Sequence, residues 1–106
     1  MKVAVIEVDE NNFDKVILGS DVPVMADFFA EWCSPCKTMS SVIDSIADKK
    51  ASEYKVCKID IDKSRSLAEK YGIMSIPTVV FFKDGREVNR LVGVHGKDEL
   101  MKNIIC

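Results

Sequence analysis

The sequence predicts a single α/β domain whose central sheet carries helices on both faces. Short apolar runs alternate with segments of helical periodicity, and the last two apolar runs flank an Asp-Gly turn. The 106 residues contain no linker, internal repeat or low-complexity segment, so we expect one domain over residues 1–106. With 47% apolar and 30% charged residues, the composition fits an ordinary globular protein.

The first half of the chain is predicted to form two strands, each followed by a helix. Val3 to Val8 is predicted as a short strand, and roughly Asn11 to Leu18 as a helix that stops at Gly19. The nearly continuous apolar run VPVMADFFA is typical of a strand buried on both faces. Apolar residues at helical spacing after Pro35 predict a helix of about four turns, and proline suits its first turn.

The second half is predicted to add a strand, a short helix, a hairpin and a last helix. YKVCKIDID is the strand, and Ser64 to Tyr71 the short helix, ended by Gly72. TVVFF and EVNRLVG flank KDGR, so they form a hairpin with Asp84-Gly85 as its turn. The last helix, about Lys97 to Ile105, is amphipathic. Its residues expected to face inward are Leu100, Met101, Ile104 and Ile105.

The predicted order is therefore βαβαβαββα. Strands separated by helices imply parallel crossovers, and the final hairpin adds an antiparallel pair.

Charge and hydropathy exclude several classes of function. The formal net charge is −2 and no basic patch is present, so we expect no nucleic-acid binding. No apolar segment approaches the length of a membrane span, and the N-terminal residues lack the features of a signal peptide. We therefore expect no membrane association and a cytoplasmic location. In a reducing compartment, a close pair of cysteines indicates catalysis or metal binding.

Cys33 and Cys36 form a C-x-x-C pair where a strand meets the predicted start of a helix. Reaction sites of open α/β sheets lie beyond the carboxyl ends of strands, as this pair does. At a helix N-terminus the free N–H groups and the helix dipole favour a thiolate, so Cys33 is expected to be the reactive thiol. Cys36, one turn further into the helix, is expected to be more buried and to act as the resolving thiol.

Two alternatives for the pair remain, a metal site and two inert core thiols. A structural zinc site needs four ligands, usually as two close pairs. The remaining candidates, Cys57, Cys106 and His95, are not paired at ligand spacing, so we expect no metal.

Two charged residues interrupt apolar strands. Asp27 lies within VMADFF, and Lys58 lies within the third strand. Because burial raises the pKa of a carboxyl group, Asp27 is a candidate proton acceptor for Cys36. Lys58 would face it across neighbouring strands. A structural ion pair without a catalytic part is the alternative for both residues.

The segments DFFAEWCSPCK, KIDID, YGIMSIPTVVFFKDG and a late VG, at these separations, resemble the thioredoxin family over nearly the whole chain. The resemblance implies the thioredoxin fold, a central five-stranded mixed sheet flanked by four helices. It also implies a protein-disulfide reductase, an oxidoreductase that serves electron transport and cell redox homeostasis. The redox-active disulfide of Cys33 and Cys36 would be its centre, with no separate cofactor.

The family pattern implies a role for each matching residue. Cys33 attacks the substrate disulfide, Cys36 resolves the mixed disulfide, Asp27 assists the second step, and Lys58 is the companion of Asp27. The bond before Pro77, for which the residues alone favour trans, is implied to be cis. The implied substrate-binding residues are Trp32, Ser34, Pro35, Ile76, Pro77, Val92 and Gly93.

The resemblance also implies partners. We expect a monomer that receives electrons from a thioredoxin reductase and passes them to disulfide-containing client proteins. The alternative is a thioredoxin-fold binding subunit, or a specialised redox partner, without general reductase turnover. The presence of Cys33, Cys36, Asp27 and Pro77 counts against that alternative.

Several positions depart from the family pattern or stand outside it. Ser34 replaces a glycine and is expected to tune the redox potential, Phe29 stands in place of a tryptophan, and Ser41 replaces a helix-kinking proline. Cys57 alternates with Lys58 and is expected in the core. The last residue, Cys106, is expected to be exposed. His95 is interpreted as a solvated loop residue, with tuning of substrate approach as the alternative.

Overall fold

The computed structural model describes residues 5–47 and 53–105. Strands β1 to β5 are Ile6–Glu7, Val24–Phe29, Lys55–Asp60, Thr78–Lys83 and Arg86–Val92. A π-helical segment, Asp14–Leu18, precedes helices α1, α2 and α3, which are Ser34–Ala47, Arg65–Lys70 and Lys97–Ile105. The order of elements along the described residues is the predicted one.

Polar side chains shorten the first two elements relative to the prediction. The Asp9 N–H donates to Asn12 Oδ1 at 2.8 Å, and the Asn11 N–H donates to Asp9 Oδ1 at 2.8 Å. These side-chain contacts close a turn, so β1 ends at Glu7 and the helical segment begins only at Asp14. Val3, where the strand was predicted to begin, lies outside the described residues.

The sheet is mixed, with strand order β1-β3-β2-β4-β5. β3 pairs in parallel with both β1 and β2, as predicted for strands joined through helices. β4 instead runs antiparallel to β2, with Thr78 opposite Phe28, so the prediction of a parallel crossover at α2 is wrong.

The connection from β3 to β4 stays at the edge of the sheet where β3 ends. Residues 61–77 contain the six-residue helix α2 and then a loop, and β4 begins with Thr78 beside Phe28, near the end of β2. The helix, about 9 Å long, does not by itself span the roughly 20 Å of a six-residue strand.

The predicted hairpin joins β4 to β5. Asp84 and Gly85 have φ values of 53° and 82°, as a type I′ turn requires at both central positions. A Cβ on Gly85 would lie 3.0 Å from the Leu18 carbonyl oxygen, so glycine is needed here for space as well as for conformation.

Each face of the sheet buries its own apolar cluster. One cluster joins the π-helical segment and α2 to the sheet through Phe13, Ile17, Phe28, Leu67 and Phe82. The other lies under α1 and α3. Its members include Met25, Met39, Ile43, Phe81, Leu100 and Ile104, with Met101 packed against it. The predicted inward face of α3 is thus confirmed for three residues, and the Ile105 side chain lies outside the described part.

The register places one edge of the sheet at the cysteine pair. β2 and β3 end at this edge, Thr78 begins β4 beside Phe28, and Val92 at the end of β5 lies opposite Thr78. The loop after β2 leads directly into α1. Within residues 5–47 and 53–105, every helix is too short or too polar to span a lipid bilayer.

Candidate active site

The cysteine pair lies at the first turn of α1. Cys33 immediately precedes the helix, and its N–H donates to the Ala30 carbonyl at 3.2 Å. A disulfide joins Cys33 to Cys36, with their Cα atoms 5.2 Å apart. The Cys36 N–H, which belongs to the first turn of the helix, donates to Cys33 Sγ at 3.2 Å. The outer sulfur is therefore the one that the helix N-terminus stabilises.

Both cysteines are buried, with exposed fractions of 5% for Cys33 and 3% for Cys36. The predicted difference in burial has the expected direction but is small. The two sulfurs are therefore distinguished mainly by the N–H donated to Cys33 and by the chain segments beside each of them.

The backbone before Pro77 lies beside the reactive pair. The Ile76–Pro77 bond is cis, which confirms the prediction drawn from the family resemblance. The Ile76 carbonyl oxygen lies 4.0 Å from Cys33 Sγ, and the Ile76 side chain packs against the small cluster of Ala30, Cys33 and Cys36. Pro77 itself is buried.

The residues predicted to bind substrate differ in exposure. Trp32 is 70% exposed, yet its indole N–H donates to Asp62 Oδ2 at 2.9 Å, which holds the ring in place. Ser34 and Pro35 are exposed on the first turn of α1. Within the described ranges, the Ser34 hydroxyl makes no hydrogen bond, so the structure shows no bond from it to Cys33.

Val92 and Gly93 complete the surroundings of Pro77. Val92 is 56% exposed at the end of β5, and the Gly93 N–H donates to the Pro77 carbonyl at 2.8 Å. Gly93 has a φ of 90°, and a Cβ built there would meet no atom within 4 Å. This backbone is therefore open to an approaching chain. Cys33, Ile76, Pro77 and Gly93 form one connected group.

Asp27 is buried in the middle of β2, with 3% of its surface exposed. Burial raises its pKa from 3.8 to about 7, and the positive charge of Lys58 opposes part of that rise. Its Oδ1 atom has no hydrogen-bond partner among the described residues. Asp27 therefore exchanges a proton near neutral pH, which is unusual for a carboxyl group.

The alternation of β2 directs Asp27 toward α1. Met25 packs in the cluster that contains Met39 of α1, and Phe29 packs against the cluster that contains Cys36. Asp27 lies between Met25 and Phe29 on the same face of the strand. The carboxyl group therefore lies on the face of the sheet that α1 covers.

Lys58 lies directly opposite Asp27 in the register of β2 and β3, as predicted. Its ammonium is 5.5 Å from the centroid of the Phe29 ring, a cation–π contact. Among the described residues, Lys58 makes no close ion pair with Asp27. Phe29, noted in the sequence only as a substitution, thus gives the ammonium an aromatic contact.

Lys58 also lines a groove of about 440 Å³ that is bordered mainly by polar residues. The groove gives the half-buried lysine a polar environment next to β2. Its other lining residues include Glu7, Glu10, Asn11, Phe29, Asp60 and Ser64.

The other cysteines and the histidine lie outside this group. Cys57 is fully buried on the opposite face of the sheet, as predicted, and burial raises the pKa of its thiol to about 12. Cys106 lies outside the described residues. His95 is not simply solvated, because each of its ring nitrogens has a hydrogen-bond partner. In the described part of the chain, no three His, Cys, Asp or Glu side chains converge as metal ligands.

Sequence reasoning missed Asp62, which anchors the Trp32 indole. Its signal in the sequence was only an acidic residue after a strand, in the segment KIDID, and nothing there pairs it with a tryptophan thirty positions earlier. The Asp62 N–H donates to Asp60 Oδ1 at 2.9 Å, so a local turn sets its position.

Known proteins resemble this chain in both sequence and structure. The Thioredoxin family model matches residues 4–105. The chain is 43% identical over 95 residues to a thioredoxin of Rickettsia bellii, covering 90% of each chain. It is 40% identical over 103 residues to a thioredoxin of Mycobacterium tuberculosis (strain ATCC 25618 / H37Rv), covering 97% of this chain and 89% of the relative. The crystal structure of a Malassezia sympodialis thioredoxin superposes with a TM-score of 0.87 at 30% identity, covering 99% and 92% of the two chains.

Proposed function

This chain belongs to the thioredoxin family and is a thiol–disulfide oxidoreductase, and we propose that it reduces protein disulfides with Cys33 as nucleophile and Cys36 as resolving thiol. One observation carries the proposal. Cys33 Sγ accepts the helix N–H of Cys36 at 3.2 Å and lies 4.0 Å from the Ile76 carbonyl, so it is the sulfur beside the segment that a client would meet.

The first step is attack of the reduced protein on a client disulfide. The Cys33 thiolate bonds to one client sulfur, the client S–S bond breaks, and the other client sulfur leaves as a thiolate. The N–H at the helix start favours the thiolate form of Cys33 and so raises the fraction of reactive protein at neutral pH.

The second step releases the client. The Cys36 thiolate attacks Cys33 Sγ, the mixed disulfide breaks, and the intramolecular disulfide forms while the second client thiolate leaves. Two electrons have then passed to the client. Asp27 is proposed to accept the proton of Cys36, because its pKa of about 7 suits proton transfer at neutral pH and it lies on the face of the sheet that α1 covers.

Lys58 is proposed to act on Asp27 through charge. Its ammonium opposes the effect of burial on the Asp27 carboxyl group, so it keeps the pKa from rising further. The cation–π contact with Phe29 holds the ammonium at one position along β3. Lys58 is thus a positioning and electrostatic residue for proton transfer.

Client docking is proposed to use the surface around Pro77. An extended client segment would pair with the backbone beside the cis bond, pass over the open Gly93 backbone and contact the exposed Val92 and Trp32 side chains. Ser34 and Pro35 border the same region on α1. The exposed apolar side chains favour clients whose disulfides lie next to apolar residues.

The proposed electron donor is a thioredoxin reductase, and the clients are disulfide-containing proteins. The reaction fits a monomer in a reducing compartment, for which we propose the cytoplasm. The cysteine pair itself carries the electrons in the proposed cycle, so the cycle needs no bound cofactor.

Reduction of insulin by dithiothreitol tests the function. We expect the wild type to accelerate precipitation of the freed insulin chains and Cys33→Ser to give the uncatalysed rate. Cys57→Ala removes a thiol from the opposite face of the sheet and serves as the matched control, with turnover at the wild-type level. Equal rates for the wild type and Cys33→Ser would favour a binding subunit without turnover.

A further inference from the structure

His95 connects the end of β5 to α3. Its Nδ1 lies 2.9 Å from Glu99 Oε1, and its Nε2 lies 2.9 Å from the Val92 carbonyl oxygen. The side chain is 25% exposed, so it packs between its two partners. The family comparison and the reaction steps assign no role to this residue.

Both partners of the ring are hydrogen-bond acceptors. A neutral imidazole carries one N–H, whereas an imidazolium carries two, so only the protonated ring can donate to both oxygens. In the neutral form, one ring nitrogen would present its lone pair to an oxygen. The protonated ring therefore satisfies both contacts, whereas the neutral ring satisfies only one of them.

The surroundings of the ring favour that protonated state. The hydrogen bond with Glu99 is the largest cause that raises the pKa of His95, and the bond with the Val92 carbonyl adds to it. Glu99 of α3 is the charged group that acts on the ring within the described residues, while β5 contributes an uncharged carbonyl.

The hydrogen bond between His95 and Val92 lies at the surface around Pro77 that is proposed to bind clients. The Val92 carbonyl and the Gly93 N–H belong to the same peptide group. The carbonyl faces His95, and the N–H donates to the Pro77 carbonyl at 2.8 Å. Two hydrogen bonds on opposite sides thus fix the orientation of this one peptide, next to the backbone that lies beside Cys33.

We propose that protonated His95 is a positioning residue that orients the Val92–Gly93 peptide for client docking, and that docking weakens when the ring loses its proton. This inference rests on the proposed function, because His95 would orient part of the surface that the proposed reductase uses to bind clients. Its physical basis is preorganisation, because a peptide already held in place loses less freedom when a client binds.

The pH dependence has a definite sign. Because the pKa of His95 is raised, the ring donates both hydrogen bonds at pH 6. One of them is lost as the pH rises through the pKa of His95 in the folded protein. One net hydrogen bond corresponds to about a two- to tenfold change, so we expect that ratio in kcat/KM between the wild type and His95→Leu at pH 6. The ratio should approach one at pH 9.

The experiment combines titration with kinetics. His95 is the single histidine of the chain, so its ring signals in an NMR titration are unambiguous. In parallel, kcat/KM for insulin is measured from pH 6 to 9 for the wild type, His95→Leu and Glu99→Gln. The ratio of wild type to variant at each pH cancels the titration of Cys33 and Asp27, which all three proteins share. Asp98→Asn, an exposed neighbour on α3, is the matched control.

We expect a ring pKa above 6.5 in the wild type, a lower ring pKa in Glu99→Gln, and a ratio for His95→Leu that falls as the ring deprotonates. Asp98→Asn should behave as the wild type. A flat ratio near one, or a ring pKa at or below 6.5, would overturn the role of His95 while insulin turnover still distinguished the wild type from Cys33→Ser. Equal insulin turnover by the wild type and Cys33→Ser would instead overturn the proposed function.

Discussion

Replacing Asp27 with Asn should stabilise the oxidised protein at alkaline pH and leave its stability nearly unchanged at acid pH. The two side chains have similar volume, but the amide carries no charge. Asp27 is 3% exposed, so its ionised form lacks water around it, and its Oδ1 has no partner among the described residues. The variant removes the unfavourable ionisation of a buried carboxyl group.

The magnitude follows from the two protonation equilibria. The unfolded chain releases the proton near the ordinary pKa of 3.8, whereas the folded protein holds it to about 7. Between these values the folded state binds more protons, so its stability falls as the pH rises. A difference of about three pH units, at about 1.4 kcal/mol each, gives roughly 4 kcal/mol at pH 8 and almost nothing below pH 4.

Urea unfolding of both proteins at pH 4, 6 and 8.5 measures this difference. The gain in the free energy of unfolding of Asp27→Asn should grow across the three values toward roughly 4 kcal/mol. Asp44→Asn removes an exposed carboxylate on α1 and should change stability by less than about 0.5 kcal/mol. A gain of the same size at all three pH values would show that it does not arise from ionisation of Asp27, contrary to this prediction.

Three further outcomes are expected. Asp27→Asn should slow release of the client from a preformed mixed disulfide by about tenfold or more near pH 7, and unchanged stopped-flow rates would make Asp27 purely structural. Cys57, whose pKa burial raises to about 12, should resist alkylation by iodoacetamide at pH 8 in the folded protein; mass spectrometry showing rapid labelling would contradict its burial. Ser34→Gly should move the reduction potential by only about 10–20 mV, because the Ser34 hydroxyl makes no hydrogen bond in the described structure and backbone entropy is the remaining effect. A shift above about 50 mV in a glutathione titration would contradict that estimate.

Much of the fold could be predicted from the sequence because its local signals agree with one another. The apolar run of β2, the helical spacing of α1 and the Asp84-Gly85 turn each act over a few residues, and the structure confirms all three. The direction of β4 was predicted wrongly. The short helix itself was predicted nearly correctly, as residues 64–71 against the observed Arg65–Lys70. The path of the loop after it, residues 71–77, decides where β4 begins, and a loop has no periodic signal in the sequence.

The site shows the same division between local and long-range features. The position of Cys33 at a helix start and the burial of Asp27 followed from patterns within single segments, whereas the pairing of Asp27 with Lys58 joins two different strands. The cis bond before Pro77 came from the family resemblance, since base rates alone favour trans. The Trp32–Asp62 bond and the two partners of His95 join loops and element ends, whose side-chain directions have no periodic signal.

Trapping of mixed disulfides distinguishes the nucleophile from the resolving thiol, the roles proposed for Cys33 and Cys36. Cys36→Ser and Cys33→Ser are each reduced, mixed with a cell extract, and examined on a non-reducing gel with and without later reduction. We expect Cys36→Ser to accumulate reducible complexes with client proteins and Cys33→Ser to form none. Equal trapping by both variants, or trapping by Cys33→Ser alone, would contradict the assignment of nucleophile and resolving thiol.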